Sequence, residues 1–390
     1  MPQSRSFPGD ISVEEFLRDY WQKTPLLVRQ AFPGIRSPLS AEELAGLACE
    51  DNVNARLVLE YHEDGPWLVR QGPFDDDDFA ALPESHWTLL VTDIEKHLPA
   101  ATALIEPFRF IPDWRIDDLM ISYAVDGGSV GPHADAYDVF LIQAQGRRRW
   151  RISETFDDTH IVGPELRILA EFNAEQEWVL EAGDMLYLPP NIAHYGIAVG
   201  ECITCSVGFR APSYRDMLGE YAESIAAGID ADLRYTDPDL QAQSSPGEIS
   251  PQSLATMQAE LARRLVIDDK SFRRWFGAFT SENRAAVYPS APALQLTGIE
   301  NLRQLLQAHE FVNRASCSRF AFVREHENAS LFVDGECFET GAAFAESVCR
   351  SYTITSDELL QTLASEQDMN ALLALYNRGC LYLDDNDEHG

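Results

Sequence analysis

The chain has 390 residues, 45% hydrophobic and 24% charged, an ordinary globular composition that is long enough for two or three domains. Sixty-three acidic against 30 basic residues leave a formal net charge of -33. That field repels nucleic-acid phosphates and anionic membranes and attracts basic partners. No apolar run reaches the roughly eighteen residues of a membrane span, and the first ten residues carry no apolar leader. The seven scattered cysteines are odd in number, so a disulfide framework is not expected and a reducing cytoplasm fits.

In chain order, Ser12 with Glu15 and Ser40 with Glu43 have capping-box spacing. They predict one helix running through Tyr20 and Trp21 and another over ELAGLA. The acidic run from Asp75 to Asp78 reads as a solvated loop or a helix start. From Trp114 the signal turns to strands: DLMISYAV, DVFLIQA, RRRWRI, EWVLEA, DMLYLP and CITCSVGF. Turns are predicted at residues 126–128, 145–146, 182–184 and 189–191. Such a succession of short strands predicts a sandwich or barrel. Cys202 and Cys205 are three apart in a strand, so they face opposite sides and read as core residues, not a redox or metal pair.

From Tyr214 to about Ser281 the pattern is helical, broken by the polar loop TDPDLQAQSSPGE. These helices must dock on the strand domain or form a dimer interface. After Pro292, RFAFVRE and SLFVDGECFE read as paired strands bending at Asp334-Gly335. A helix capped by Ser356, a helix closed by Gly379 and a last strand, CLYL, follow. Helices with β-wings resemble a winged helix. Residues 285–390 carry six Arg and no Lys against sixteen Asp/Glu, which argues against DNA reading. The class is α+β, in three regions: 1–212, 213–285 and 286–390.

His133 and Asp135 flank Ala134, and alternate residues of a strand share a face. By itself H-x-D is a weak motif. His194 strengthens it, because a Gly183-Asp184 turn, a strand and a Pro-Pro turn present it at a rim. Histidines such as His62, His97 and His309 have no comparable setting. Two His and one carboxylate cap one face of an octahedron and leave the other open, the pattern of non-haem iron(II) oxygenases. Alternation also turns Arg148 inward with Trp150 and Ile152, so a buried cation needs an anion. A dicarboxylate such as 2-oxoglutarate would supply one, as would a structural acid. A zinc hydrolase is a weaker reading of the same ligands, since it leaves inward Arg148 unexplained.

The runs GPHAD, GRRRW and GDMLYLPPNIAH resemble the JmjC-type cupin oxygenases. WRIDDLMISYAV, GPHADAYDVFLIQAQGRRRWRI and SVGFRAP are similar in particular to the bacterial ribosomal oxygenases, which hydroxylate an arginine of large-subunit ribosomal protein sixteen. The resemblance implies a double-stranded β-helix, a helical dimerisation region making a homodimer, and a winged-helix-like C-terminal domain. It implies iron(II) on His133, Asp135 and His194, with 2-oxoglutarate and dioxygen as co-substrates. Arg148 would anchor the distal carboxylate of 2-oxoglutarate and Ser122 would be a second donor to it. Thr204 stands where relatives often place an Asn near the co-substrate, and is the third residue expected at the co-substrate site. For an arginine substrate, Asp118 is the expected guanidinium acceptor, with Met120 along the stem and Tyr137 as a wall. A histidyl hydroxylase, a lysine demethylase and a non-catalytic dimeric scaffold are the alternatives within this fold.

Overall fold

The computed structural model describes residues 7–62, 65–162, 166–242, 244–265, 268–284, 287–293 and 295–383. The reading of the first ten residues falls largely outside them, as do the boundary at 285–286, Gln243 of the polar loop and the His62 side chain. No helix among the described residues is long and apolar enough to cross a membrane.

Ten strands form one antiparallel sheet: Leu26–Val28 (β1), Ala55–His62 (β2), Gly65–Gln71 (β3), Trp87–Val91 (β4), Ile116–Ala124 (β5), His133–Ala134 (β6), Val139–Ser153 (β7), Gln176–Glu181 (β8), Met185–Leu188 (β9) and Ala193–Phe209 (β10). Their order is β1-β9-β7-β10-β5-β4-β2-β3, with β8 added on β7 and β6 on β10. Short helices precede and interrupt them: Val13–Asp19 (α1), Ala41–Leu47 (α2), Asp76–Ala80 (α3) and Ile94–His97 (α4). Ser12 caps α1, which ends at Asp19, before Tyr20 and Trp21. Ser40 and Glu43 close a reciprocal box on α2, and Asp75 with Asp78 starts α3.

The spine of the sheet is β7 and β10. The first half of each pairs with the second half of the other, and the pair rolls the sheet into the expected double-stranded β-helix. The turn predicted at Gln145-Gly146 is instead a bulge within one continuous strand. Gly146 adopts φ +66°, and a Cβ there would lie 2.1 Å from the Glu201 carbonyl oxygen. Close backbone approach at a left-handed residue requires glycine. The bulge also switches parity. Before it Val139 and Leu141 face the inner core; beyond it Trp150 and Ile152 do, and Arg148 is buried with them.

The inner layer is aliphatic, with Trp150. An outer aromatic layer, including Phe16, Phe108, Phe140, Tyr187 and Phe209, joins the N-terminal helices to the sheet. Phe108 and Phe140 stack at 4.3 Å. Each such buried ring contributes about 2–3 kcal/mol. The Tyr187 hydroxyl donates to buried Asp138 at 2.6 Å. Cys202 and Cys205 are buried, unpaired and in separate apolar clusters, on opposite faces as the alternation requires.

Beyond the barrel come Tyr214–Ala227 (α5), Pro251–Arg264 (α6) and Asp269–Ser281 (α7). The C-terminal unit comprises Ile299–Ala308 (α8), Phe311–Arg314 (β11), Phe320–Glu325 (β12), Asn328–Val333 (β13), Glu336–Gly341 (β14), Ala342–Arg350 (α9), Thr353–Thr355 (β15), Ser356–Thr362 (α10), Glu366–Asn377 (α11) and Leu381–Tyr382 (β16). The strand pair bending at Asp334-Gly335 is a hairpin, β13–β14, with both turn residues at positive φ. The cap of α10 is Thr355, not Ser356: β15 runs straight into the helix, and the last extended residue accepts from Glu358 N–H. Although it reads with the helical segment, α7 packs on β12, β13 and β14. Arg109 fastens the barrel to this unit, donating to Cys349 O at 2.7 Å and Arg350 O at 3.0 Å.

Candidate active site

The barrel opens into a cavity of about 640 Å³ lined from β5, β7, β10 and the segment after β6. At one end lie His133, Asp135 and His194. Their ligand atoms fall within 4.8 Å of one another. His133 pairs in register with His194 across β6 and β10, and the Asp135 carbonyl accepts Asn191 N–H at 2.7 Å. Asp135 Oδ2 is 3.9 Å from His133 Nε2 and 3.7 Å from His194 Nε2.

The two imidazoles are held alike. Nδ1 of His133 lies 2.9 Å from Gly131 O, and Nδ1 of His194 lies 2.9 Å from Ile192 O. A carbonyl only accepts, so each Nδ1 carries the proton and each Nε2 presents its lone pair to the cavity. Burial, and then neighbouring His133, holds the His194 imidazolium pKa below its ordinary value. His194 is therefore held neutral and ready to ligate. One open face and a His₂-carboxylate donor set fit iron(II).

Deeper in the cavity, Arg148 is 4% exposed. Its Nη1 donates to Ser122 Oγ at 3.1 Å and Thr204 Oγ1 at 3.2 Å. Thr204 in turn donates to Gln143 Oε1 at 3.2 Å. Arg148 Nε is buried without a partner, and no acid among the described residues forms an ion pair with it. Burial lowers its pKa. A fork-shaped cation in a dry pocket without an anion fits one carboxylate of a small dianion. Ser122 and Thr204 line the cavity, and their hydroxyls orient the guanidinium.

Asp118, Met120 and Ser122 line the wall from one face of β5, with Ser122 against Arg148 and Asp118 further along, while Leu119 and Ile121 face the outer core. Burial, then Glu95 and Asp117, pushes the Asp118 carboxyl up to about 8. Glu95, behind it, accepts from Leu119 N–H at 2.9 Å and is pushed up to about 7, first by burial. Among the described residues no cation forms an ion pair with Asp118. Tyr137 lies beyond the end of β6 and is 41% exposed, yet it lines the cavity between the ends. Burial, then Asp135 and Asp118, raises its phenol pKa.

His97 and His309 stand off the cavity. Gln143, Glu95 and Gly208 escaped sequence reasoning. Gly208 leaves space for Asp118, whose Oδ1 would lie 2.8 Å from a Cβ there. The only signal was its even spacing from His194 along the strand.

A double-stranded β-helix with an open His-Asp-His face and a buried arginine beside it defines a JmjC-type cupin oxygenase, dependent on iron(II) and 2-oxoglutarate. Residues 103–217 match the JmjC domain family and residues 260–382 the ROXA-like winged helix. The chain is 35% identical to the ribosomal protein uL16 3-hydroxylase of Escherichia coli K12, over 94% of this chain and 96% of that protein. The crystal structure of E. coli YcfD superposes with a TM-score of 0.86 at 33% identity, covering 97% of this chain and all of that one. YcfD, described as a ribosomal oxygenase, in complex with cobalt and 2-oxoglutarate gives a TM-score of 0.83 at 33% identity and the same coverage. The chain belongs to the ribosomal oxygenases.

Proposed function

We propose that the protein hydroxylates the Cβ of an arginine in large-subunit ribosomal protein uL16. The observation that carries this reading is an opposed pair of ionisable groups in one cavity, neither in an ion pair among the described residues. Buried Arg148 is a cation with no anion in ion-pair reach, and Asp118 beside Glu95 is a carboxyl with no cation in ion-pair reach. The first suits 2-oxoglutarate and the second suits a guanidinium. The named activity of the E. coli relative supports the same choice.

In this reading His133, Asp135 and His194 hold iron(II) through Nε2, a carboxylate oxygen and Nε2. Arg148, steadied by Ser122 and Thr204, takes the distal carboxylate of 2-oxoglutarate. When bound, iron with 2-oxoglutarate and dioxygen supplies the oxidant for an unactivated carbon. The protein's part is positioning and exclusion of water. Asp118 receives the substrate guanidinium, Met120 flanks the stem, and Tyr137 walls the space between acid and metal ends. The side chain then spans the cavity with its Cβ toward the metal.

The net charge of -33 favours a basic ribosomal protein as partner and disfavours direct reading of nucleic acid. Exposed Tyr214, Leu218, Leu254 and Leu261 on α5 and α6 support a homodimer through residues 213–285, between a barrel at 1–212 and a C-terminal domain at 286–390. A uL16 substrate and free cysteines fit the cytoplasm.

The test is incubation with iron(II), 2-oxoglutarate and recombinant uL16. The expected result is a mass gain of one oxygen, mapped to one arginine, with stoichiometric succinate. Modification of a histidine, or loss of a methyl group from lysine, would replace the arginine reading. Absence of turnover with every ribosomal protein would favour a scaffold.

A further inference from the structure

Two adjacent acids open β5, and they are treated differently. Arg210 Nε lies 3.0 Å from Asp117 Oδ1. Arg210 is itself fixed: its carbonyl accepts from Arg115 Nε at 2.7 Å, and its Nη1 donates to Thr280 O at 3.3 Å. Asp117 is therefore paired with a fixed cation, although it too lines the cavity. Asp118 has no such cation.

A second arginine comes from the C-terminal unit. Arg319 Nη2 donates to Ile116 O at 2.6 Å, and its Nη1 to Asp117 O at 3.2 Å. Its own backbone N–H donates to Asp334 Oδ1 at 2.9 Å, at the hairpin turn between β13 and β14. Arg319 lines the main cavity and the small one behind it, between barrel and C-terminal unit. Its donors go to two main-chain carbonyls directly before Asp118 and to no carboxylate within ion-pair distance among the described residues. A rigid planar fork on successive carbonyls fixes the peptide planes between them. On the far side Gly208 leaves just the space that the Asp118 carboxylate occupies.

We propose that Arg319 is a positioning residue for substrate recognition. It locks the start of β5 so that Asp118, and not Asp117, presents its carboxylate to the cationic side chain of the substrate. The C-terminal unit thereby takes part in the substrate site of the barrel. This rests on the assignment of Asp118 as substrate anchor. Displacement of an anchoring group by about 1 Å costs on the order of 100-fold in productive binding, so a lost clamp acts strongly from outside direct contact.

The experiment uses the full chain with manganese(II) and 2-oxoglutarate without oxygen, and a fluorescent arginine-containing uL16 fragment as probe. Arg319→Gln is expected to raise the fragment Kd about tenfold or more, while 2-oxoglutarate affinity and Tm hold. With iron and oxygen, the loss should appear in KM more than in kcat. Arg319→Lys, which keeps the charge but loses the fork, should recover only part of the affinity; should the Gln variant not fold, it serves alone. In an Asp118→Asn background Arg319→Gln should add little further loss, because the clamp then holds nothing that binds. A fully additive loss, or an unchanged Kd in Arg319→Gln beside a weakened Asp118→Asn, would overturn the inference and leave the substrate anchor standing. An unchanged Kd in Asp118→Asn would instead remove the anchor itself.

Discussion

The two ends of the cavity are mirror images in charge. At one end a guanidinium is buried with hydroxyls around it and no acid. At the other, the half-buried Asp118 carboxyl lies against buried Glu95, and among the described residues no cation forms an ion pair with Asp118. Folding alone would not select either arrangement, because an uncompensated buried charge is destabilising. The difference lies in how each end bears that cost. Arg148 cannot shed its charge and relies on Ser122 and Thr204. Asp118 can hold a proton, so its end is neutral until a cation displaces it. In the proposed roles the anion site is preformed, whereas the cation site is switched on by its ligand.

The largest effect should come from the metal end that both sites serve. Asp135→Ala removes one of the three proposed ligands and is expected to lower metal content and turnover by more than about 100-fold; elemental analysis with succinate release checks both. Next is Arg148→Gln, which should weaken 2-oxoglutarate by about 2–5 kcal/mol. The same change leaves the Tm of the empty protein unchanged or higher, since an unpaired buried charge is gone. A fall in Tm would show that Arg148 has a structural anion and would end the symmetry.

Asp118→Asn should weaken uL16 binding about tenfold to 100-fold and spare 2-oxoglutarate; calorimetry separates the two. The smallest effect is in pH. The Asp118 carboxyl is pushed up to about 8, first by burial, then by Glu95, Asp117 and Asp93, with Lys96 opposing them. A guanidinium needs the carboxylate, so binding expels a proton. Substrate Kd should therefore fall by up to about tenfold per pH unit as pH rises toward 8, then level off. The stability sign is opposite. A carboxyl whose pKa is raised on folding stabilises fully at low pH and loses that contribution as pH rises through about 8. The Tm advantage of Asp118→Asn over the parent should accordingly grow from acid to alkaline pH.

Much of the site was legible because strand alternation is a local rule. It put Met120 and Ser122 with Asp118, and Arg148 inward with Trp150; His133 and Asp135 also come together, although β6 ends between them at Ala134. Arg148 is turned inward with Trp150, although the turn expected before it does not exist. A bulge and a turn both reset parity, and only the pairing of β7 with β10 on both sides of Gly146, which lies close against Glu201 and Cys202, distinguishes them. Tyr137 reached the cavity without strand parity, since β6 ends at Ala134. Glu95 gave no signal, because a carboxylate in a short helix reads as solvent-facing until β5 is laid over it.

The sequence by itself determined the chemistry: two histidines, an aspartate and an inward arginine at spacings that a strand and a Pro-Pro turn translate into one face. Those relations run along the backbone, where spacing fixes direction. Only the tertiary structure decided which of two adjacent acids is free. Arg210 neutralises Asp117 and Arg319 holds its carbonyl from a different unit, more than 200 positions along the chain. No periodicity carries information across that distance, because the partner is chosen by packing of one domain on another.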